Sequence, residues 1–136
     1  MAELKFAIVT CSDTRSIEQD TAGAALEALI AENGWECASR VIVKDERADI
    51  AAAIVQACDE IDADIVLTCG GSGLSLRDVT PEATQDVCER NVPGIAEAMR
   101  AHVKSVYARH GGNMAQARKA LGISLNTLKK YLRSKA

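Results

Sequence analysis

Aromatic side chains are nearly missing from this sequence: Phe6, Trp35, Tyr107 and Tyr131 account for 3% of 136 residues. Any core must be built from Ala, Val, Ile and Leu. Hydrophobic residues still make up 48% of the chain, which excludes a disordered polymer. No apolar run approaches the roughly 20 residues that cross a bilayer. The opening Met-Ala-Glu-Leu-Lys-Phe also lacks the basic-then-apolar layout of a signal peptide. A cytoplasmic protein with no membrane partner is expected. No Cys-x-x-Cys pair occurs among Cys11, Cys37, Cys58, Cys69 and Cys88, so neither zinc spacing nor a disulfide framework is visible. Cys11 and Cys69 close apolar runs and are expected as reduced core thiols.

Acid is the last absence. Residues 101–136 hold eight Lys and Arg and no Asp or Glu, whereas residues 1–100 hold eight basic residues against all 19 acids. The halves therefore carry +8 and −11 within a net charge of −3. Such a split argues for two parts with different partners, taken here as residues 1–102 and 103–136.

Hydrophobic periodicity orders the first part. Leu4–Cys11, Trp35–Val43 and Asp64–Cys69 read as strands, the last apolar through its middle. Between them, Asp20–Asn33 and Asp49–Ile61 have helical spacing, the second presenting Ile50, Ile54, Val55 and Cys58 on one face. A third helix is predicted over Pro81–Arg90 with Thr80 as N-cap, and a fourth from near Ile95. This alternation predicts an α/β fold with a parallel sheet and right-handed crossovers. Its ligands belong beyond the carboxyl ends of the strands, where Ser12–Asp20, Lys44–Arg47 and Gly70–Thr80 fall.

The Gly70-Gly71-Ser72-Gly73 turn can bring backbone N–H groups close to an anion, with the following helix aiming its positive end the same way. Arg77 adds a cation, and Asp45 and Asp78 are carboxylates able to hold Mg²⁺ against phosphates. Taken alone, the turn reads equally well as strand-to-helix topology, and Asp13 and Asp45 as solvated loop residues or caps.

Four ordered motifs resemble the MogA/MoaB family of molybdenum-cofactor biosynthesis. Thr68-Cys-Gly-Gly-Ser-Gly-Leu-Ser-Leu-Arg-Asp-Val-Thr-Pro-Glu-Ala-Thr84 is similar to its Gly-Gly-Thr-Gly…Arg-Asp-Val-Thr-Pro-Glu-Ala signature. Val9–Asp13 with Gln19–Gly23, Val41–Glu46 and Glu89–Arg100 match in family order. The resemblance covers residues 5–100 and implies a three-layer α/β/α unit, truncated, that forms trimers or hexamers. It implies molybdopterin, ATP and Mg²⁺ as ligands and AMP transfer to the pterin phosphate as the activity. Gly70, Gly71, Ser72 and Gly73 would cradle pterin and phosphate, with Arg77 beside them. Ser12 and Asp13 would line the pocket, and Asp45 and Asp78 would serve catalysis and the metal. The family's Leu-Pro-Gly loop has no counterpart, since Pro81 and Pro93 are the only prolines.

The basic tail has its own pattern. Gly111-Gly112 breaks the fourth helix, Asn113 can cap Met114–Leu121, Gly122 makes a turn, and Ser124 can cap Leu125–Ser134. Two helices joined by a tight glycine turn are a helix-turn-helix, with Ala117, Leu121, Ile123, Leu128 and Leu132 as its core. The stretch resembles the C-terminal helix-turn-helix of the factor for inversion stimulation, which implies duplex DNA as a partner. Leu125, Asn126, Thr127, Lys129, Lys130 and Arg133 would then face the groove and phosphates. The chain is thus expected to be an adenylyltransferase-like binding protein or, alternatively, a ligand-responsive DNA-binding regulator. A basic hairpin packed on the acidic half is the plainer reading of the tail.

Overall fold

Alternation along β1 (Lys5–Cys11) organises the first part of the chain. Successive side chains of a strand point to opposite faces. Accordingly Phe6 and Ile8 join Ile30 in one buried cluster, while Val9 and Cys11 join Ile50, Ile54 and Ala83 in the other. β2 (Glu36–Val43) and β3 (Ile65–Cys69) flank β1 in parallel, giving the order β2-β1-β3. Val9 stands opposite Val41 on one side and Thr68 on the other. The first cluster seats α1 (Thr21–Glu32) on one face of the sheet. The second seats α2 (Arg47–Asp59) and α3 (Thr80–Val87) on the other. These are the expected three layers. Each fully buried Ile or Val contributes about 1.5–3 kcal/mol, and Ile8, Val9 and Ile50 are the least exposed.

This computed structural model describes residues 3–71 and 76–133. Within them some expected boundaries and faces move. α2 begins at Arg47 rather than Asp49, and its inward stripe is Ile50, Ile54 and Ala57, with Val55 and Cys58 exposed. Thr80 is the first helical residue of α3, not its cap, because Val79 takes the non-helical position. Cys69 is half-buried and Cys11 buried. Asp20, read as the first helical residue, is instead the cap of α1 (Thr21–Glu32), its side chain accepting from the Gly23 N–H at 2.9 Å.

The chain divides into units 1–89 and 90–136. The second contains α4 (Pro93–Arg109), α5 (Met114–Leu121) and α6 (Leu125–Arg133). Pro93 opens α4 at a position whose missing N–H would have no intrahelical partner, two residues before the expected start. Val103, Ala117 and Leu128 form the buried centre, ringed by Tyr107, Met114, Leu121, Ile123, Tyr131 and Leu132. The Asn113 side chain accepts from the N–H groups of Ala115 and Gln116, both at 3.0 Å. Gly122 ends α5 in the left-handed conformation at φ +65°. Among the described residues no helix is long and apolar enough to cross a membrane.

Candidate functional site

With the order β2-β1-β3, the winding reverses between β1 and β3, where open α/β sheets bind their ligands. Three loops meet at that end. The Ser12 N–H donates to the Val43 carbonyl at 2.9 Å, and its hydroxyl accepts from the Arg15 N–H at 3.2 Å, which turns the first loop. Asp13 and Asp45 then exchange hydrogen bonds. The Asp13 N–H donates to Asp45 Oδ2 at 3.2 Å, and the Asp45 N–H donates to Asp13 Oδ1 at 3.1 Å. Two loops 32 residues apart in sequence are thereby locked side by side.

Arg77 ties in the third loop. Its Nε donates to Asp13 Oδ2 at 2.9 Å and its Nη2 to Glu46 Oε1 at 2.7 Å. The predicted cation is present, and it spans all three loops through acids of the first two. The Arg77 hydrogen bond and the Asp45 N–H hold the Asp13 carboxyl below the usual carboxylate range. Asp13 in turn, with Glu46, pushes Arg77 further up. Glu46 carried no sequence signal of its own beyond its place in the Val41–Glu46 motif.

Gly70 and Gly71 both lie at positive φ, +85° and +52°. A β-carbon on Gly70 would collide with the Cys11 carbonyl oxygen, so glycine is what lets the third loop close on the end of β1. A β-carbon on Gly71 would collide with the Thr80 hydroxyl and stand 3.2 Å from Asp45 Oδ1. Those two oxygens, Asp45 Oδ1 and Thr80 Oγ1, are buried and have no hydrogen-bond partner at ordinary length. An open groove of about 490 Å³ runs alongside, lined by Thr68, Gly70, Gly71, Thr80, Thr84 and Gln85. Burial pushes the Cys11 thiol up, the neighbouring Thr80 side chain partly offsets this by a weak hydrogen bond to the sulfur, and the nearby Asp45 carboxylate adds to the rise.

Asp78 stands half-buried just before α3. Ser72 and Gly73 lie outside the described residues. Among the described residues no group of three or more His, Cys, Asp and Glu is placed to hold a metal. A carboxylate oxygen buried without a partner nevertheless suits a hard cation, which binds oxygen donors and keeps several waters.

In the second unit Leu125, Asn126, Lys129, Lys130 and Arg133 of α6 are exposed. Thr127 is half-buried instead, because its N–H donates to the Ser124 hydroxyl at 3.1 Å and the residue folds into the cap.

A family profile described as "Probable molybdopterin binding domain" matches residues 7–124. The chain is 37% identical over 120 residues to molybdenum cofactor biosynthesis protein B of Bacillus cereus, covering 88% of this chain and 69% of that one. To molybdopterin adenylyltransferase of Helicobacter pylori it is 38% identical over 105 residues, covering 74% and 59%. A crystal structure of a molybdenum cofactor biosynthesis protein B superposes with TM-score 0.68 at 39% identity, covering 74% of this chain and 62% of that chain.

Proposed function

The chain belongs to this molybdopterin-binding-domain family, and from that premise we propose that its sheet-end loops bind molybdopterin and Mg-ATP for an adenylyl transfer in molybdenum-cofactor biosynthesis. One observation supports the reading most directly. The reciprocal Asp13–Asp45 lock leaves one Asp45 oxygen buried and unpartnered beside Gly71, where the loop after β3 closes on β1.

In this reading Ser12 and Asp13 shape the pocket wall, and Gly70, Gly71, Ser72 and Gly73 offer backbone N–H groups to phosphate oxygens. Arg77 counters phosphate charge from the loop clasp. Asp45 and Asp78 would hold the Mg²⁺, which would supply positive charge to the phosphates. The pterin phosphate forms the new bond to the α-phosphorus, and pyrophosphate leaves. The work is positioning and charge, so no protein nucleophile is needed. Asp45→Asn and Asp78→Asn should each abolish Mg²⁺-dependent nucleotide binding in calorimetry, with melting nearly unchanged. If both variants bind like the parent, the reading fails.

A second reading concerns the other unit alone. It is carried by the absence of acid from residues 101–136 and by the exposed Asn126, Lys129, Lys130 and Arg133 of α6. We infer that this unit contacts duplex DNA, chiefly at phosphates, and so serves a ligand-responsive regulator. If the three cations each neutralise one phosphate, log affinity against log salt should slope by about −3, at about −0.9 per contact. Lys129→Ala should flatten it by about one for any sequence. Anisotropy on two unrelated duplexes that shows no binding at low salt removes this reading.

A further inference from the structure

Thr80 was expected to cap a helix, and the structure gives its hydroxyl no such task. The residue is 5% exposed, its Oγ1 is buried, and no hydrogen bond of ordinary length reaches that atom, the Cys11 sulfur beside it being only a weak acceptor. An unpaired buried hydroxyl is unfavourable, so native chains rarely keep one without a use. Near it lies Asp45 Oδ1, also without a partner, and both oxygens border the space that a β-carbon on Gly71 would take. Two such oxygens, one from the loop after β2 and one from the first residue of α3, converge on a glycine that a β-carbon would spoil and are a pair awaiting a common partner.

The chemistry of the pair narrows that partner. An anion is disfavoured by the Asp45 carboxylate. A cation can use both atoms, because a carboxylate and a hydroxyl oxygen are both hard donors. The N-terminal end of α3 opposes a cation, but with about half a charge, against a full one on Asp45. The lock with Asp13 holds Asp45 Oδ2 on an N–H, so Oδ1 is the oxygen left to coordinate. Mg²⁺ binds readily through one or two such protein oxygens, with waters and substrate phosphates completing six-fold coordination.

We propose that Thr80 is a metal-positioning residue, its hydroxyl sharing one divalent cation with Asp45 Oδ1 beneath Gly71. The proposal rests on the ligand reading above and gives a role in the site to a motif residue that was read only as a helix cap. It also makes a paired statement that a structural threonine would not satisfy. Removing the hydroxyl relieves an unpaired buried oxygen, and so should stabilise the metal-free protein while weakening its hold on the metal.

The test uses the full chain, with Mn²⁺ alone as a paramagnetic probe, read by electron paramagnetic resonance, and thermal melting in chelator. Thr80→Val should lose at least about tenfold in Mn²⁺ affinity and melt a few degrees higher in chelator. Thr80→Ser, which keeps the oxygen, should bind Mn²⁺ like the parent. Thr80→Val binding Mn²⁺ as the parent does, or a parent that takes up no Mn²⁺ at millimolar concentration, overturns the proposal. So does a Thr80→Ser variant as weak as Thr80→Val. Mg²⁺-dependent nucleotide binding separates the levels. If Asp45→Asn loses it and Thr80→Val keeps both nucleotide and Mn²⁺, the Thr80 assignment alone falls. If Asp45→Asn keeps it too, the ligand reading falls with it.

Discussion

Asp20→Ala should lower the unfolding free energy of the first unit by about 3 kcal/mol, the low end of the cost of breaking a buried ion pair. The Asp20 side chain has no exposed surface and meets Arg40 at 3.3 Å, the Thr10 hydroxyl at 3.0 Å and the Gly23 N–H at 2.9 Å. Truncation removes an N-cap, worth about 0.5–2 kcal/mol, and a buried acceptor for Thr10. The upper end is not reached, because Arg40 keeps Glu27 at 2.9 Å and a partly wet side chain. Burial pushes the Asp20 carboxyl up, but the Gly23 N–H, Thr10 and Arg40 together bring it below its usual range. A depressed folded value means that its stabilisation is complete above the unfolded carboxylate range and disappears as pH falls through the folded value. Parent and variant should therefore converge in strong acid. Urea unfolding followed at Trp35, the single tryptophan and a member of this unit's core, measures the loss. A difference under about 1 kcal/mol at neutral pH would be no more than an exposed pair supplies, and would refute the buried network.

The second large effect is expected from Gly70→Ala. At φ +85° any β-carbon is strained by about 1–3 kcal/mol, and here it would also strike the Cys11 carbonyl. That obstacle is backbone of the central strand and cannot rotate away. A loss of about 2–4 kcal/mol is expected, with loss of nucleotide binding as the third loop lifts off β1. Gly34→Ala is the control, since Gly34 has φ +73° with open space around it. That change should cost only the left-handed strain, about 1–2 kcal/mol. Equal losses at the two sites would show that the Cys11 contact is immaterial.

The sheet and its layers were legible because β1, β2 and β3 are short apolar runs with clear stops, and α1 ends at Asn33-Gly34. The inward face of α2 was misjudged for a physical reason. Its sequence, RADIAAAIVQACD, is rich in alanine, so two stripes overlap, and Val55 outweighs Ala57 in a periodicity although the smaller residue packs. In the site, the positions of Asp13, Asp45 and Arg77 followed from motifs, but their mutual pairing did not. Contacts across 32 and 64 residues have no local signature. Thr80 was hidden by its neighbour: a threonine before proline reads as a cap, and only the close approach of Gly71 shows its hydroxyl turned elsewhere.

The placement of β1 also has a kinetic side. Every other element of the first unit's sheet has an outer edge, whereas β1 is hydrogen-bonded on both sides from Phe6 to Thr10. Its amides cannot reach solvent by fraying of one neighbour, so their hydrogen exchange should track the global opening of the unit. Ser12 and Asp13 hang from the end of this slowest element, and Gly70, leaving β3, closes against its Cys11 carbonyl. The loops that must yield to a ligand are anchored on the part of the unit that opens last, so they can rearrange without loosening the frame that aims them.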